Sequence, residues 1–306
     1  MTTGRFAPSP SGYMHMGNLL SMLLAWLDCR ALNGEMVFRM EDLDPARSKP
    51  IFADAIAEDL RWLGLAWDRG WPDPDYAQSS RTSYYEDAFS LLKRKGLVYP
   101  CWCSRASRLA AASAPHPGEK EHDPGCPCAR LTEKERLALE ASERKPAWKI
   151  RVPDRTVIVN DGHYGIRSQN LAHDSGDFII RRADGVFAYQ LAVSVDDMLM
   201  GVTRVVRGSD LLSSAPKQHW LIEELGGTAP CYCHGPLITD GEGKLSKRIG
   251  SLSTEELRKT MTAPEITGRL AFLCGLMEKE EPVTAQELIP VFSWEKIKKE
   301  AIRPPG

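Results

Sequence analysis

One stretch near the start constrains this chain more than any other: Gly4-Arg5-Phe6-Ala7-Pro8-Ser9-Pro10-Ser11-Gly12-Tyr13-Met14-His15-Met16-Gly17-Asn18. Arg5 and Phe6 read as the end of a first strand. The Pro/Ser/Gly run then enforces an extended loop, because proline fixes φ and glycine admits unusual turns. A helix is predicted over Leu19 to Leu32, with Leu20, Leu23, Leu24 and Leu27 at helical spacing and Asn33-Gly34 as its stop. Strand, loop and helix N-terminus in that order form a device for holding phosphate, since free N–H groups and the helix dipole favour an anion there. His15 adds a donor, and Gly17 lets a flat ring or a phosphate approach the backbone.

Two later stretches complete a pattern. Met36 to Asp44 reads as a second strand ending in acids, through Arg39-Met40-Glu41-Asp42-Leu43-Asp44. Much further on comes Gly243-Lys244-Leu245-Ser246-Lys247-Arg248. Arg5 to Asn18 resembles the HIGH signature of class I aminoacyl-tRNA synthetases, and Lys244 to Arg248 resembles their KMSKS loop. Arg39 to Asp44 is similar to the R-x-E-D-x-D stretch of the glutamyl branch. The motifs stand in the family order, and the resemblance runs from about Gly4 to about Arg248. Within the branch it is strongest to the glutamyl-Q subgroup, whose members lack the anticodon-binding domain.

The chain has 306 residues, 42% of them hydrophobic, enough for a sizeable core in one large or two modest domains. No apolar run approaches the roughly 20 residues that span a bilayer. The N-terminus has no signal-like pattern, so a cytoplasmic protein is expected. A net charge of −2 leaves any RNA contact to local patches such as Lys93-Arg94-Lys95, Arg105 with Arg108, or Lys296-Ile297-Lys298-Lys299. The plainer reading of each is a solvated helix face.

Helices are predicted over Phe52 to Leu63 and Ser80 to Lys95, each stopped by glycine. The alternation to that point predicts an α/β fold built on a Rossmann-type doubly wound parallel sheet, with ligands beyond the carboxyl ends of the strands. Residues 1–100 form its first half. Residues 101–185 read as an inserted subdomain with a helix over Thr132 to Glu143 and short strands at Trp148 to Arg151, Thr156 to Asn160 and Phe178 to Arg181. The resemblance implies that such an insert holds the acceptor end of tRNA. Residues 186–250 complete the catalytic domain: Phe187 to Asp197 returns to the main sheet, Val205 to Leu211 follows, a helix lies near Pro216 to Leu225, and Pro236 to Thr239 is a strand leading to the lysine loop. Residues 251–306 read as a short helical C-terminal segment.

The resemblance implies activation of glutamate with ATP to an adenylate and pyrophosphate, a reaction that needs positioning and cationic stabilisation. It puts His15 on the phosphates, Gly17 by the adenosine and Asn18 as a further polar contact, with Lys247, and Lys244 beside it, reaching the pyrophosphate. It implies Mg²⁺ brought with ATP, although no dedicated ligand set is evident. Glutamate has two carboxylates and one ammonium, and the family's amino-acid contacts map to Arg5, Ser9, Glu41, Tyr189 and Arg207. The arginines can fork onto carboxylates and Glu41 can pair with the ammonium. The plainer readings are a core aromatic for Tyr189 and, for Arg207, an ion pair with Asp210 or Asp197. Arg39 and Asp42 are expected only to brace Glu41, and Asp196-Asp197 to be structural or to stand behind the residues that touch substrate.

Eight cysteines in a cytosolic chain argue for metal or free thiols. Cys101, Cys103, Cys126 and Cys128 read as one tetrahedral Zn²⁺ site with a structural role. The family pattern is C-x-C followed by Y-x-x-x-C, and this chain departs from it: a second cysteine pair stands where one cysteine is expected. His122 with Cys126 is the alternative set. Cys231-Tyr232-Cys233-His234 reads as a strand without metal, and Cys29 and Cys274 as buried cysteines.

The resemblance thus implies transfer of glutamate to the queuosine base of tRNA(Asp) by a monomer. The alternatives are a truncated glutamyl-tRNA synthetase charging a 3′ end and a non-catalytic RNA-binding paralogue. The roughly 58 residues after Arg248 favour the first reading, being too few for a helical anticodon domain.

Overall fold

The structure is a computed structural model and describes residues 1–103, 126–239 and 252–303. Strand β1 (Thr3–Phe6) runs into the Pro/Ser/Gly loop and helix α1 (Met16–Ala31), which Asn33 ends in the left-handed region at φ 53°. Strand β2 (Glu35–Phe38), helix α2 (Pro50–Trp62), strand β3 (Arg69–Gly70) and helix α3 (Thr82–Arg94) follow. The next segment holds β4 (Val98–Cys101), helix α4 (Glu133–Glu140), β5 (Ala147–Ile150), β6 (Thr156–Asp161), β7 (Gly165–Asn170) and β8 (Phe178–Arg181). Then come α5 (Tyr189–Leu199), β9 (Arg204–Gly208), α6 (Ala215–Glu224), β10 (Cys231–Gly235), α7 (Thr254–Leu257), α8 (Ala263–Cys274) and α9 (Ala285–Leu288).

Strands β1, β2 and β3 are parallel neighbours in that order, and β9 pairs parallel with β10. The two groups meet edge to edge where the Thr203 N–H donates to the Thr3 carbonyl at 3.0 Å. The spatial order is therefore β3-β2-β1-β9-β10, with the strand order running outward on either side of the β1–β9 junction. Ligands bind at such a switch point, outside the carboxyl ends of the strands. Arg5, Arg39, Glu41 and Arg207 all stand at those ends.

Three expectations need correction, and one element was not foreseen. Phe187 to Asp197 does not return to the sheet as a strand; Tyr189–Leu199 is a helix. It is buried from Leu191 through Asp197, and a helix buried all round shows a continuous apolar run instead of a helical period. Pro236 to Thr239 is not a strand either: the strand is Cys231–Gly235, and beyond it only Ile238 bridges, to Ile302. Among the described residues of 251–306, α7, α8 and α9 are separated by irregular chain. They are not an appended tail, because Leu257, Ile266, Leu270 and Leu288 share one apolar core with Leu20, Leu24 and Phe38. Lastly, Gly165–Asn170 forms a hairpin with β6 that the sequence did not announce. Its outer face carries exposed Ile158 and Ile166, so the burial that marks a strand is missing there.

The β4-β5-β8 sheet is antiparallel, and a second core gathers α3, α5 and α6 over it through Phe89, Leu191 and Trp220. The β6–β7 hairpin lies against β10, where the Gly162 N–H donates to the Tyr232 carbonyl at 2.8 Å. Among the described residues no helix is long and apolar enough to cross a membrane.

Candidate active site

The second strand delivers Arg39 and Glu41 into the switch point, and α5 delivers Tyr189, Asp196 and Asp197 from one face, seven or eight residues apart. Buried charges then alternate in sign. Arg5 Nε stands 3.5 Å from Asp197 Oδ1. Arg39 donates to the same oxygen at 2.7 Å and to Glu41 Oε1 at 2.9 Å. Asp196 accepts from Arg81 at 2.7 Å, Gln78 at 2.8 Å and the Tyr85 hydroxyl at 2.9 Å. Arg39 is fully buried. Burial works against its charge, but Asp197, Glu41 and Asp196 outweigh burial and hold its pKa well above the ordinary arginine value. Arg39 does brace Glu41, as the sequence suggested, while Asp42 accepts instead from the Ser79 N–H and hydroxyl.

A cavity of about 120 Å³ opens among Arg5, Ser9, Glu41, Tyr189 and Arg207, the five positions matched to the family's amino-acid contacts. Its electrostatics are mixed. Burial lowers the Arg5 guanidinium pKa, Asp197 opposes the effect, and Arg39 and Arg207 add to it. Burial raises the Glu41 carboxyl against the pull of Arg39, and burial likewise raises the Tyr189 phenol. The plainer reading of Arg207 does not describe its hydrogen bonds. They run to His234 Nε2 at 3.0 Å, Gln218 Oε1 at 2.7 Å and the Leu211 carbonyl at 3.3 Å, all neutral acceptors.

A second cavity, of about 440 Å³, shares Ser9 and Glu41 with the first and runs along the loop to His15 and Asn18. His15 is exposed at the N-cap of α1. Asn18 Oδ1 accepts the His15 N–H at 3.0 Å, so one Asn18 atom shapes the loop. A Cβ at Gly17 would meet Ile238 at an ordinary 3.9 Å. Lys244 and Lys247 lie outside the described residues, as do His122, Arg105 and Arg108. The flanks of the lysine segment do reach the phosphate-type loop: Ser253 bridges His15, and Thr254 donates both its N–H and its hydroxyl to the Met14 carbonyl, at 2.8 and 3.0 Å.

The four cysteines of the insert converge. Their sulfurs all lie within 4.8 Å of one another, with Cys101–Cys126 at 3.4 Å, Cys103–Cys126 at 3.6 Å and Cys103–Cys128 at 3.8 Å. Such a set could hold a metal ion. Burial raises the Cys101 thiol and pushes Cys103 up to about 11. The proposed basic patches are partly committed elsewhere: Lys93 sits 4.9 Å over Trp148, Lys95 pairs with Glu224, and Lys296 and Lys298 donate to the carbonyls of Val291 and Leu273.

Gln218 and Asp161 around Arg207 went unmarked in the sequence, and His234 was read only as part of a strand. No motif carries them; His234 becomes a neighbour of Arg207 only through the β9–β10 register, in which the two are paired.

Residues 1–302 match the family described as tRNA synthetases class I (E and Q), catalytic domain. The chain is 46% identical to the glutamyl-Q tRNA(Asp) synthetase of Symbiobacterium thermophilum over 100% of this chain and 97% of that protein. It is 44% identical to the enzyme of that name from Nitratidesulfovibrio vulgaris, over 96% and 92%. Among solved structures it is similar to a glutamate tRNA ligase from Elizabethkingia meningosepticum in complex with its amino acid, with a TM-score of 0.80 and 26% identity. That superposition covers 99% of this chain and 66% of the ligase, so the chain spans about two thirds of the ligase's length.

Proposed function

The chain belongs to the class I tRNA synthetase family of the glutamate and glutamine branch, and from that premise we propose that it activates glutamate with ATP and delivers it to the queuosine base of tRNA(Asp). The observation that carries the reading is the meeting of Arg5, Glu41, Tyr189 and Arg207 on one small cavity that shares a wall with the His15 loop. Cations for carboxylates and one acid for an ammonium are what an amino acid with an acidic side chain requires.

In the first step a glutamate carboxylate oxygen attacks the α-phosphorus of ATP. The bond to the β-phosphate breaks, and pyrophosphate leaves with the charge. Arg5 and Arg207 orient the carboxylates, Glu41 takes the ammonium, and Ser9 and Tyr189 add hydrogen bonds. His15 contacts the phosphates at the N-terminus of α1, with Gly17 and Asn18 beside the nucleotide. Lys247, with Lys244, meets the charge that develops on pyrophosphate. Mg²⁺ accompanies ATP. In the second step a nucleophile of the queuosine base attacks the adenylate carbonyl and AMP departs.

We assign residues 1–100 and 186–250 to the catalytic domain, 101–185 to an insert that meets RNA, and 251–306 to a C-terminal segment of its core. Zn²⁺ suits the four cysteines. Bonds of about 2.3 Å to a tetrahedral ion put sulfurs about 3.8 Å apart; three of the six sulfur pairs stand at 3.4–3.8 Å, and all six lie within 4.8 Å. Convergence of all four supports the all-cysteine set over one that uses His122. Bound there, zinc would fix the fold of the insert. A cytoplasmic monomer fits this reading.

ATP–pyrophosphate exchange with glutamate and no RNA tests the function. Exchange without RNA supports the glutamyl-Q reading. Exchange that appears only with tRNA points to a truncated glutamyl-tRNA synthetase, and none under either condition points to a non-catalytic paralogue.

A further inference from the structure

Arg207 differs from the other buried arginines of the site. Arg39 faces carboxylates directly, and Arg5 stands near one. The Nε, one Nη1 and one Nη2 hydrogen of Arg207 go instead to His234, Gln218 and the Leu211 carbonyl. An acceptor role for His234 Nε2 has a consequence. A neutral imidazole carries one proton, so that proton sits on Nδ1. Nδ1 lies 2.6 Å from Asp161 Oδ2, which accepts it. Asp161 is held in turn by the β6–β7 turn, where its Oδ1 accepts the N–H groups of His163 at 3.0 Å and Tyr164 at 2.7 Å. Both ring and carboxylate are buried, with relative exposures of 0% and 2%. Burial drives the imidazole down to about 4, which agrees with a neutral ring, while Asp161 stays below its ordinary value because His234 and the turn N–H groups outweigh burial.

We propose that Asp161 and His234 are positioning residues for the amino-acid substrate: the carboxylate locks one imidazole tautomer, and that tautomer orients Arg207 while leaving its charge for a substrate carboxylate. An aspartate placed directly on Arg207 would fix the side chain equally well but would compete with the substrate for its charge. The relay gives orientation through a neutral ring and keeps the compensating anion one residue away. The inference rests on the reading above, in which Arg207 meets a carboxylate of glutamate.

Asp161→Asn tests it. The asparagine must turn its carbonyl oxygen to the N–H groups of His163 and Tyr164, which presents its NH₂ to His234 Nδ1. The ring then protonates at Nε2, and a donor faces the Arg207 Nε–H. In ATP–pyrophosphate exchange the KM for glutamate should rise about tenfold or more, on the scale of a lost hydrogen bond to a charged group, while the KM for ATP stays unchanged. Nitrogen-15 spectra of the histidine rings should report Nδ1–H at His234 in the native protein and Nε2–H in the variant. Two further variants separate the contacts. His234→Gln keeps an acceptor near the Nε2 position and should retain a nearly native glutamate KM; His234→Asn reaches only the Nδ1 position and should behave like Asp161→Asn. These two carry the test if Asp161→Asn does not fold.

A folded Asp161→Asn enzyme with native glutamate KM overturns the proposal, as does an Nε2–H tautomer in the native protein or equal impairment of the two His234 variants. Arg207→Ala identifies which idea has failed. If it raises the glutamate KM and Asp161→Asn does not, the relay alone is wrong. If Arg207→Ala leaves that KM unchanged, the assignment of Arg207 to the substrate falls and takes the relay with it.

Discussion

Replacing Arg39 with methionine removes a fully buried guanidinium from among three carboxylates. Arg39 is 2.7 Å from Asp197, 2.9 Å from Glu41 and 3.8 Å from Asp196. Asp196 keeps Arg81, Gln78 and Tyr85, so its loss is small. Asp197 keeps Arg5 at 3.5 Å, a weaker contact. Glu41 loses the main partner that opposed its burial and keeps only the weaker pull of Arg5. Removing one member of a buried pair costs about 3–5 kcal/mol, because the charge left behind is uncompensated. Unfolding entropy of about 2.1 cal/mol/K per residue, over 306 residues, turns that into a melting-point drop of roughly 5–8 °C. The pH dependence carries a sign. The Glu41 carboxyl already stands above its ordinary value, and the substitution raises it further. A group raised on folding contributes stability that is full below its unfolded value and lost as pH rises through its folded value. The deficit of the variant should therefore be smaller near pH 5 than near pH 8. Urea denaturation of both proteins at the two pH values measures it. A loss under about 1 kcal/mol, the scale of an exposed pair, or a deficit that does not grow with pH, would refute the assignment of Arg39 as the central cation of this lattice.

Lys247→Ala should leave glutamate affinity nearly intact but slow activation by roughly 10²-fold, as for loss of one transition-state contact; unchanged exchange would remove Lys247 from the chemistry. Metal analysis of the purified protein should find about one zinc per chain, as a four-ligand site requires, with less in Cys101→Ser; a zinc-free preparation of undiminished thermal stability would eliminate the zinc assignment. ATP and glutamate together should raise the melting temperature by more than the sum of their separate shifts, because a bound adenylate adds to the folded state by mass action; simply additive shifts would count against adenylate formation.

The opening strand, loop and helix were legible because their signals are local. Leucines at helical spacing, a proline-rich loop and a stop at Asn33 need no distant partner to be read, and the structure ends α1 where Asn33 turns left-handed. The cysteine pairs were legible for a similar reason, since C-x-C twice over is a rare pattern, and the fold brings the four sulfurs together. Tyr189–Leu199 was misread because burial on every side erases the periodicity that separates helix from strand. The C-terminal helices were seen as elements but not as core, because nothing in α8 by itself tells that Ile266 and Leu270 pack with Leu20 and Leu24 of α1.

The sequence by itself determined the chemistry on offer: which cations, acids and thiols exist, the phosphate-type loop that carries His15, and the order of the motifs. Tertiary structure decided which of these groups share a space and what each one faces. Arg5, Arg39 and Arg207 are the same residue type at or just past the carboxyl ends of neighbouring strands. Only the packing of α5 sets two of them against Asp197, and only the register of β9 on β10 gives the third an imidazole. The physical reason is that an ionic environment depends on distances of a few ångströms between residues far apart in the chain, such as Arg39 and Asp197, separated by 158 positions, whereas helix periods and turn residues act between near neighbours.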